Sequence, residues 1–259
     1  GRRFCRRKSY GARYCTPRPG SDHDNHRLTS AEYLNQGMQL MIEEMQHYYD
    51  RRAEIYDTSM GYDNPDTVTL LQPVVEHLCR EMSGKKVLEL ACGPCFWTRF
   101  TAAVAESIVA CDFNESTLSQ ARHKDLPWDR VSLQQADAYD LKTLTGSFSA
   151  AMAVDWLAHV PYARMHPFLD GLHAVLNAGA RVVFCDQLPK SEPTDGDHDA
   201  DGNFIVIRQL PDGSRYRVIK HYLSDNQIQD IFGRYDDNVQ ITRFPNCRRI
   251  IISYHIKSA

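Results

Sequence analysis

Short apolar runs alternate with helix-spaced stretches through the middle of this chain: Val87–Ala91, Ile108–Cys111, Val131–Gln134, Ala150–Val154 and Arg181–Cys185. Runs of this length without polar alternation read as strands buried on both faces. Between them, helices are expected from Thr98, from Asn114 as N-cap, and around Phe168, Leu172, Val175 and Leu176, whose spacing makes one buried face. The alternation predicts an α/β fold with a doubly wound, mostly parallel sheet. Right-handed crossovers then bring every strand's C-terminal end to one edge, where ligands bind.

The flanks differ. Upstream, Ala31–Tyr49 reads as a helix with Ser30 as N-cap and Leu34, Met38, Met41 and Met45 on one face. A second helix is expected over Pro65–Met82, with Leu70, Leu71, Val74, Val75 and Leu78 inward and a kink at Pro73. Downstream, a polar loop runs through Asp201, and Phe204–Leu210 and Arg215–Lys220 flank Pro211-Asp212-Gly213-Ser214 as a hairpin. A helix over Leu223–Tyr235 and strands over Val239–Phe244 and Arg248–Ile256 follow, the last strand antiparallel. The expected division is an arm at 1–30 and one domain at 31–259, with a helical cover at 31–82 and an inserted hairpin at 204–220.

At 259 residues, 42% hydrophobic and 24% charged, with mean hydropathy −0.48, the chain can bury a large core. No apolar run approaches the ~20 residues that span a bilayer, and no hydrophobic stretch follows the N-terminal arginines, so a cytoplasmic protein without membrane contact is expected. Eight spread cysteines then read as free thiols. Residues 1–20 carry seven Lys/Arg and no acid within a net charge of −3, which leaves the remainder about ten negative. That acidic body would repel a phosphate backbone, which argues against a nucleic-acid partner.

Chemistry concentrates at the strand ends. Lys86–Leu90 runs into a tight loop at Gly93 and then a helix, so backbone N–H groups face a ligand. Glu89 is out of place in a buried strand unless its carboxylate holds something. Asp112 ends the second strand 19 positions after Gly93, a spacing that suits a carboxylate accepting both hydroxyls of a ribose.

Glu89-Leu90-Ala91-Cys92-Gly93, Asp112, Ala136-Asp137-Ala138 and Asp155-Trp156-Leu157-Ala158-His159-Val160-Pro161 resemble, in order, the motifs of class I S-adenosylmethionine (SAM)-dependent methyltransferases. The later Leu210-Pro211-Asp212-Gly213 is similar to a bacterial small-molecule subgroup. The resemblance implies a Rossmann-like methyltransferase fold that transfers a methyl group from SAM to a small-molecule acceptor by O- or N-methylation, releasing S-adenosylhomocysteine (SAH). It places Glu89, Ala91 and Gly93 along the methionine half of SAM and Asp112 on the ribose. Phe113 and Leu118 would lie against the adenine, with Asp137 at its amino group and Ala138 beside the ring. Asp155 and Trp156 fall near the sulfonium, and Tyr49 and Tyr56 in an N-terminal cover. Asp155 and His159 are the catalytic candidates, His159 as a base titrating near neutral pH. Trp156, Tyr216, Arg217 and Tyr222 would suit a flat or anionic acceptor. The chain departs from the family where Cys95 replaces the loop's second glycine and where Asn177-Ala178-Gly179-Ala180 precedes the fifth strand.

Two other classes compete. Cys92-Gly93-Pro94-Cys95 reproduces a thiol–disulfide oxidoreductase motif, although Glu89, Asp112, Asp137 and Asp155 are not needed for disulfide exchange. A SAM-binding protein without turnover is the other. Asp197–Gly202 opens like a calcium loop, but Arg208 stands where a bidentate Glu is required, so no metal site is expected.

Overall fold

The computed structural model describes residues 30–192 and 194–257, with side chains from residue 36. The Ser30 and Leu34 side chains and the basic N-terminal arm lie outside the described residues. Helix α1 (Ser30–Arg52) is followed by a 3-10 turn (Ala53–Ile55), α2 (Tyr56–Met60), which ends on left-handed Gly61, and α3 (Pro65–Met82). Asn64 caps α3 by accepting the Asp66 N–H at 2.9 Å, and Pro73 lies inside it on the exposed side without ending it. There the missing N–H costs the helix little tertiary packing.

The sheet contains β1 (Lys86–Leu90), β2 (Ser107–Asp112), β3 (Val131–Gln135), β4 (Phe148–Val154), β5 (Leu176–Gln187), and two later strands. The connections are α4 (Thr98–Thr101), α5 (Glu115–Ala121) and α6 (Tyr162–His173). After β5 come β6 (Asp197–His198), β7 (Phe204–Gln209), β8 (Arg215–Ile219), α7 (Asp225–Phe232), β9 (Gln240–Phe244) and β10 (Arg249–His255). The strand order is β3-β2-β1-β4-β5-β10-β9. The first five are parallel, and β10 runs antiparallel to both neighbours. The connections reverse direction between β1 and β4, a topological switch point.

Each face of the sheet has its own core, as strand alternation demands. Val87, Ile108, Ala110, Met152 and Val183 pack with α3 and α5 on one side, and Leu88, Leu90, Ala151, Ala153, Val182 and Phe184 with α6 and α7 on the other. A third cluster joins Met41, Ile42, Met45 and Tyr48 of α1 to Val206, Leu210, Val218 and Ile219. The methionine face of α1 is thus packed on the hairpin.

The helix expected from Thr98 begins there and lasts one turn. Three expectations are corrected. Asn114 opens α5 without capping it, because its amide instead donates to the Gln46 carbonyl of α1 at 3.1 Å. The helix expected over Leu223–Tyr235 is confined to Asp225–Phe232, where a reciprocal Ser224–Gln227 capping box fixes its start. The hairpin is one part of a three-stranded antiparallel sheet, because Asp197–His198, read as loop, pairs with β7. A two-residue strand carries no apolar periodicity to betray it.

Candidate active site

At the switch point the chain leaves β1, β2, β3 and β4 through Ala91, Phe113, Ala136 and Asp155. These four exits surround a pocket of about 830 Å³, its open mouth included. Ala91, Gly93, Asp112, Phe113, Asp137, Ala138, Asp155, Trp156 and His159 line it, with Tyr49 and Tyr56 from the helical cover. Left-handed backbone gathers in and beside it: φ is 49° at Ala91, 52° at Gly93, 61° at Cys95 and 57° at Asp155. Such conformations cost non-glycine residues on the order of 1–3 kcal/mol and persist only where the surroundings impose them.

Asp112 is held from both sides. The Gly93 N–H donates to Oδ2 and the Asn114 N–H to Oδ1, each at 2.9 Å. Burial pushes its carboxyl above the ordinary value, and the two N–H groups oppose that shift. At the next strand end, Asp137 Oδ1 accepts the Tyr139 N–H at 2.9 Å.

Glu89 and Leu118, expected at the cofactor, lie behind the wall. Glu89 is 2% exposed on the strand face towards Cys95 and Thr98, and burial raises its carboxyl well above the usual range. Leu118 sits wholly in the core below the pocket. Strand and helix periodicity decides both positions, since each side chain faces the packed interior.

Asp155 is saturated by the protein. Its Oδ1 accepts from Arg249 Nη1 at 2.6 Å and Gln187 Nε2 at 3.0 Å, and its Oδ2 from the Tyr62 hydroxyl at 3.3 Å. Both members of the ion pair are buried, and Arg249 also donates to Tyr62 and lies over Trp97. Burial favours the neutral acid, but the Arg249 charge, helped by Lys220, brings the carboxyl below its ordinary value. A carboxylate so engaged positions the loop after β4; it is not a free base.

His159 does not titrate near neutrality. It lies in a buried 3-10 turn (Leu157–His159), and burial, reinforced by the charge on Lys220, lowers it to about 3. Its Nδ1 is 2.5 Å from the Ile219 carbonyl and its Nε2 3.0 Å from the Tyr49 hydroxyl. A carbonyl only accepts, so Nδ1 carries the proton and Nε2 accepts from Tyr49. Arg208 and Lys220 both bear electrostatically on this imidazole.

The residues expected at the acceptor do not all converge. Trp156 lines the pocket. Tyr216 packs on Tyr48, Arg217 is paired with Glu44 of α1, and Tyr222 lines a separate cavity beside Asp186 and His221. Among the described residues, no group of three or more His, Cys, Asp or Glu side chains is placed to hold a metal.

Residues 87–179 match the family described as Methyltransferase domain. This chain has the Rossmann-like methyltransferase fold. A demethylmenaquinone methyltransferase of Clavibacter sepedonicus is 32% identical over 146 residues, 56% of either chain, so this chain spans just over half of that relative's length. The solved complex of DhpI with SAH is similar with a TM-score of 0.66 at 24% identity, over 84% of this chain and 97% of that one. A SAM-dependent methyltransferase of Clostridium acetobutylicum ATCC 824 gives 0.55 at 15% identity, over 81% and 99%. These likenesses extend the methyltransferase fold beyond the matched segment to most of the chain.

Sequence reasoning found the acids at the strand ends but missed Arg249 and Tyr62, which lie 94 and 93 positions from Asp155. Nothing in local spacing marks either.

Proposed function

We propose that this chain transfers the methyl group of SAM to the oxygen or nitrogen of a small-molecule acceptor, releasing SAH. The observation that carries the reading is the Asp112 carboxylate, fixed by the Gly93 and Asn114 N–H groups in the wall of the pocket, where a vicinal diol would meet it. Phe113, Ala138 and Asp137 offer two apolar surfaces and one acceptor for a purine with an exocyclic amine. The similarity to DhpI, solved with SAH and with SAM and HEP, supports the same ligand here.

SAM supplies an electrophilic methyl on a sulfonium. Transfer needs an acceptor lone pair aligned behind the carbon–sulfur bond, and alignment can account for much of the acceleration. The Tyr49 hydroxyl, held by neutral His159, is a polar group from the cover that lines the pocket together with Gln46 and Tyr56. In this reading Tyr49 orients the acceptor, His159 orients Tyr49, and the acceptor's proton leaves to solvent.

Calorimetry with SAH tests the cofactor half. Wild type should bind and Asp112→Ala should lose about 10²-fold in affinity, the worth of a carboxylate bonded to a diol. Equal binding by the two proteins overturns the assignment. Incubation with SAM and a metabolite extract, read by mass spectrometry, should yield SAH and a product heavier by one methylene. SAM binding without turnover on any acceptor in the extract overturns the catalytic half.

A further inference from the structure

The Cys92/Cys95 pair is left unused by methyl transfer. The Cys95 N–H donates to the Cys92 carbonyl at 3.0 Å, closing a turn around Gly93-Pro94. Such a turn brings its first and fourth Cα atoms within about 7 Å, the span a disulfide bridges. The Cys92 thiol donates to the Gly93 carbonyl at 3.5 Å, and the two cysteines bear electrostatically on each other. Cys92 keeps 8% of its surface exposed, whereas Cys95 is fully buried. The enclosed residue, Gly93, lines the pocket and donates to Asp112.

From this geometry we infer that Cys92 and Cys95 form a redox modification site, whose disulfide, made by exchange with a low-molecular-weight disulfide, weakens cofactor binding. The inference rests on the SAM reading of the pocket. In the first step the Cys92 sulfur, as thiolate, attacks the external disulfide, forming a mixed disulfide and releasing one external thiolate, which takes the Cys92 proton. The Cys95 sulfur then attacks Cys92 Sγ, expels the second external thiolate and gives up its own proton to it. Two protein thiols are oxidised by two electrons while one external disulfide is reduced to two thiols.

The order of attack follows from access: Cys92 is the one with exposed surface, and Cys95, wholly buried at the other end of the same turn, is left to resolve the mixed disulfide. Closing the pair draws the sulfurs together to ~2.05 Å. Gly93 and Pro94 must shift with them, and Pro94 has little φ freedom to absorb the change. The Gly93 N–H that fixes Asp112 is the bond most directly displaced. Cys111 and Cys185, also buried, are internal controls because each lies in a strand outside this turn.

The test uses the full chain equilibrated with glutathione disulfide, then with excess reduced glutathione. Peptide mass mapping after alkylation reads the disulfide, and calorimetry with SAH reads affinity. The expected result is a Cys92–Cys95 linkage, a reversible affinity loss of about tenfold, the order of one lost hydrogen bond, and no loss in Cys92→Ala. Cys95→Ala is a second control should Cys92→Ala fold poorly. Free thiols at both positions after glutathione disulfide overturn the inference, and so does a complete linkage that leaves affinity unchanged. Failure of the reduced protein to bind SAH sinks the cofactor reading instead, and the mass map separates the two cases.

Discussion

The two ends of the pocket are built differently. The end formed by Gly93, Asp112 and Asp137 is local: each acid sits where a strand stops, and its partners are backbone N–H groups at most 19 positions away. The end formed by Tyr49, Asp155 and His159 is assembled from distant parts, with α1, the loop after β4 and β10 contributing side chains and the hairpin a backbone carbonyl, in pairs 60 to 110 positions apart. The first construction survives changes elsewhere because the sheet itself makes it. The second depends on docking of the cover and on a buried ion pair.

That contrast can be broken most forcefully at Arg249. Arg249→Met leaves the Asp155 carboxylate buried without its cation, which typically costs 3–5 kcal/mol, and chemical denaturation should show a loss of that order. Arg249→Met combined with Asp155→Asn should recover part of it. A stability loss under 1 kcal/mol for Arg249→Met would mean the pair is dispensable and the two ends are alike.

A smaller effect is expected from acid. His159 falls from about 6.5 in the unfolded chain to about 3 in the fold, so the unfolded state binds the extra proton first. Stability from this group is complete above pH 6.5 and is lost as pH drops towards 3, by at most about 1.4 kcal/mol per unit. His159→Gln should flatten the wild-type profile over that window. Superimposable profiles for the two proteins would remove the buried neutral histidine from the account.

Tyr49→Phe sharpens the comparison at the level of function. It should leave SAH affinity within about threefold and lower turnover about 10- to 100-fold, because an orienting hydrogen bond is lost while the aromatic wall stays. A large loss of SAH affinity would put Tyr49 with the cofactor end. The smallest effect is expected at Glu44–Arg217, which ties α1 to β8 on the surface with an N–O distance of 2.7 Å. A double-mutant cycle there should give a coupling below about 1 kcal/mol, and a larger value would make the latch, not the methionine face, the main hold on the cover.

Legibility followed the same division. The parallel strands were readable because both-face burial leaves uninterrupted apolar runs, and the strand-end acids because spacing along the chain maps directly onto position along the sheet edge. Helix α4 was read only to its start at Thr98, since one turn and a long helix begin alike. Leu118 was placed at the ligand because a core-facing and a pocket-facing leucine are the same letter.

The sequence by itself determined the sheet, its winding and the edge where ligands bind, because hydrophobic periodicity and turn chemistry act over a few residues. It also determined the positions of Gly93, Asp112 and Asp137. Only the tertiary structure decided that Asp155 is neutralised by Arg249, that His159 is a neutral partner of Tyr49, and that Glu89 is sealed beneath the loop. Burial and charge neighbours set those properties, and both come from residues that are far apart in the chain and close in space.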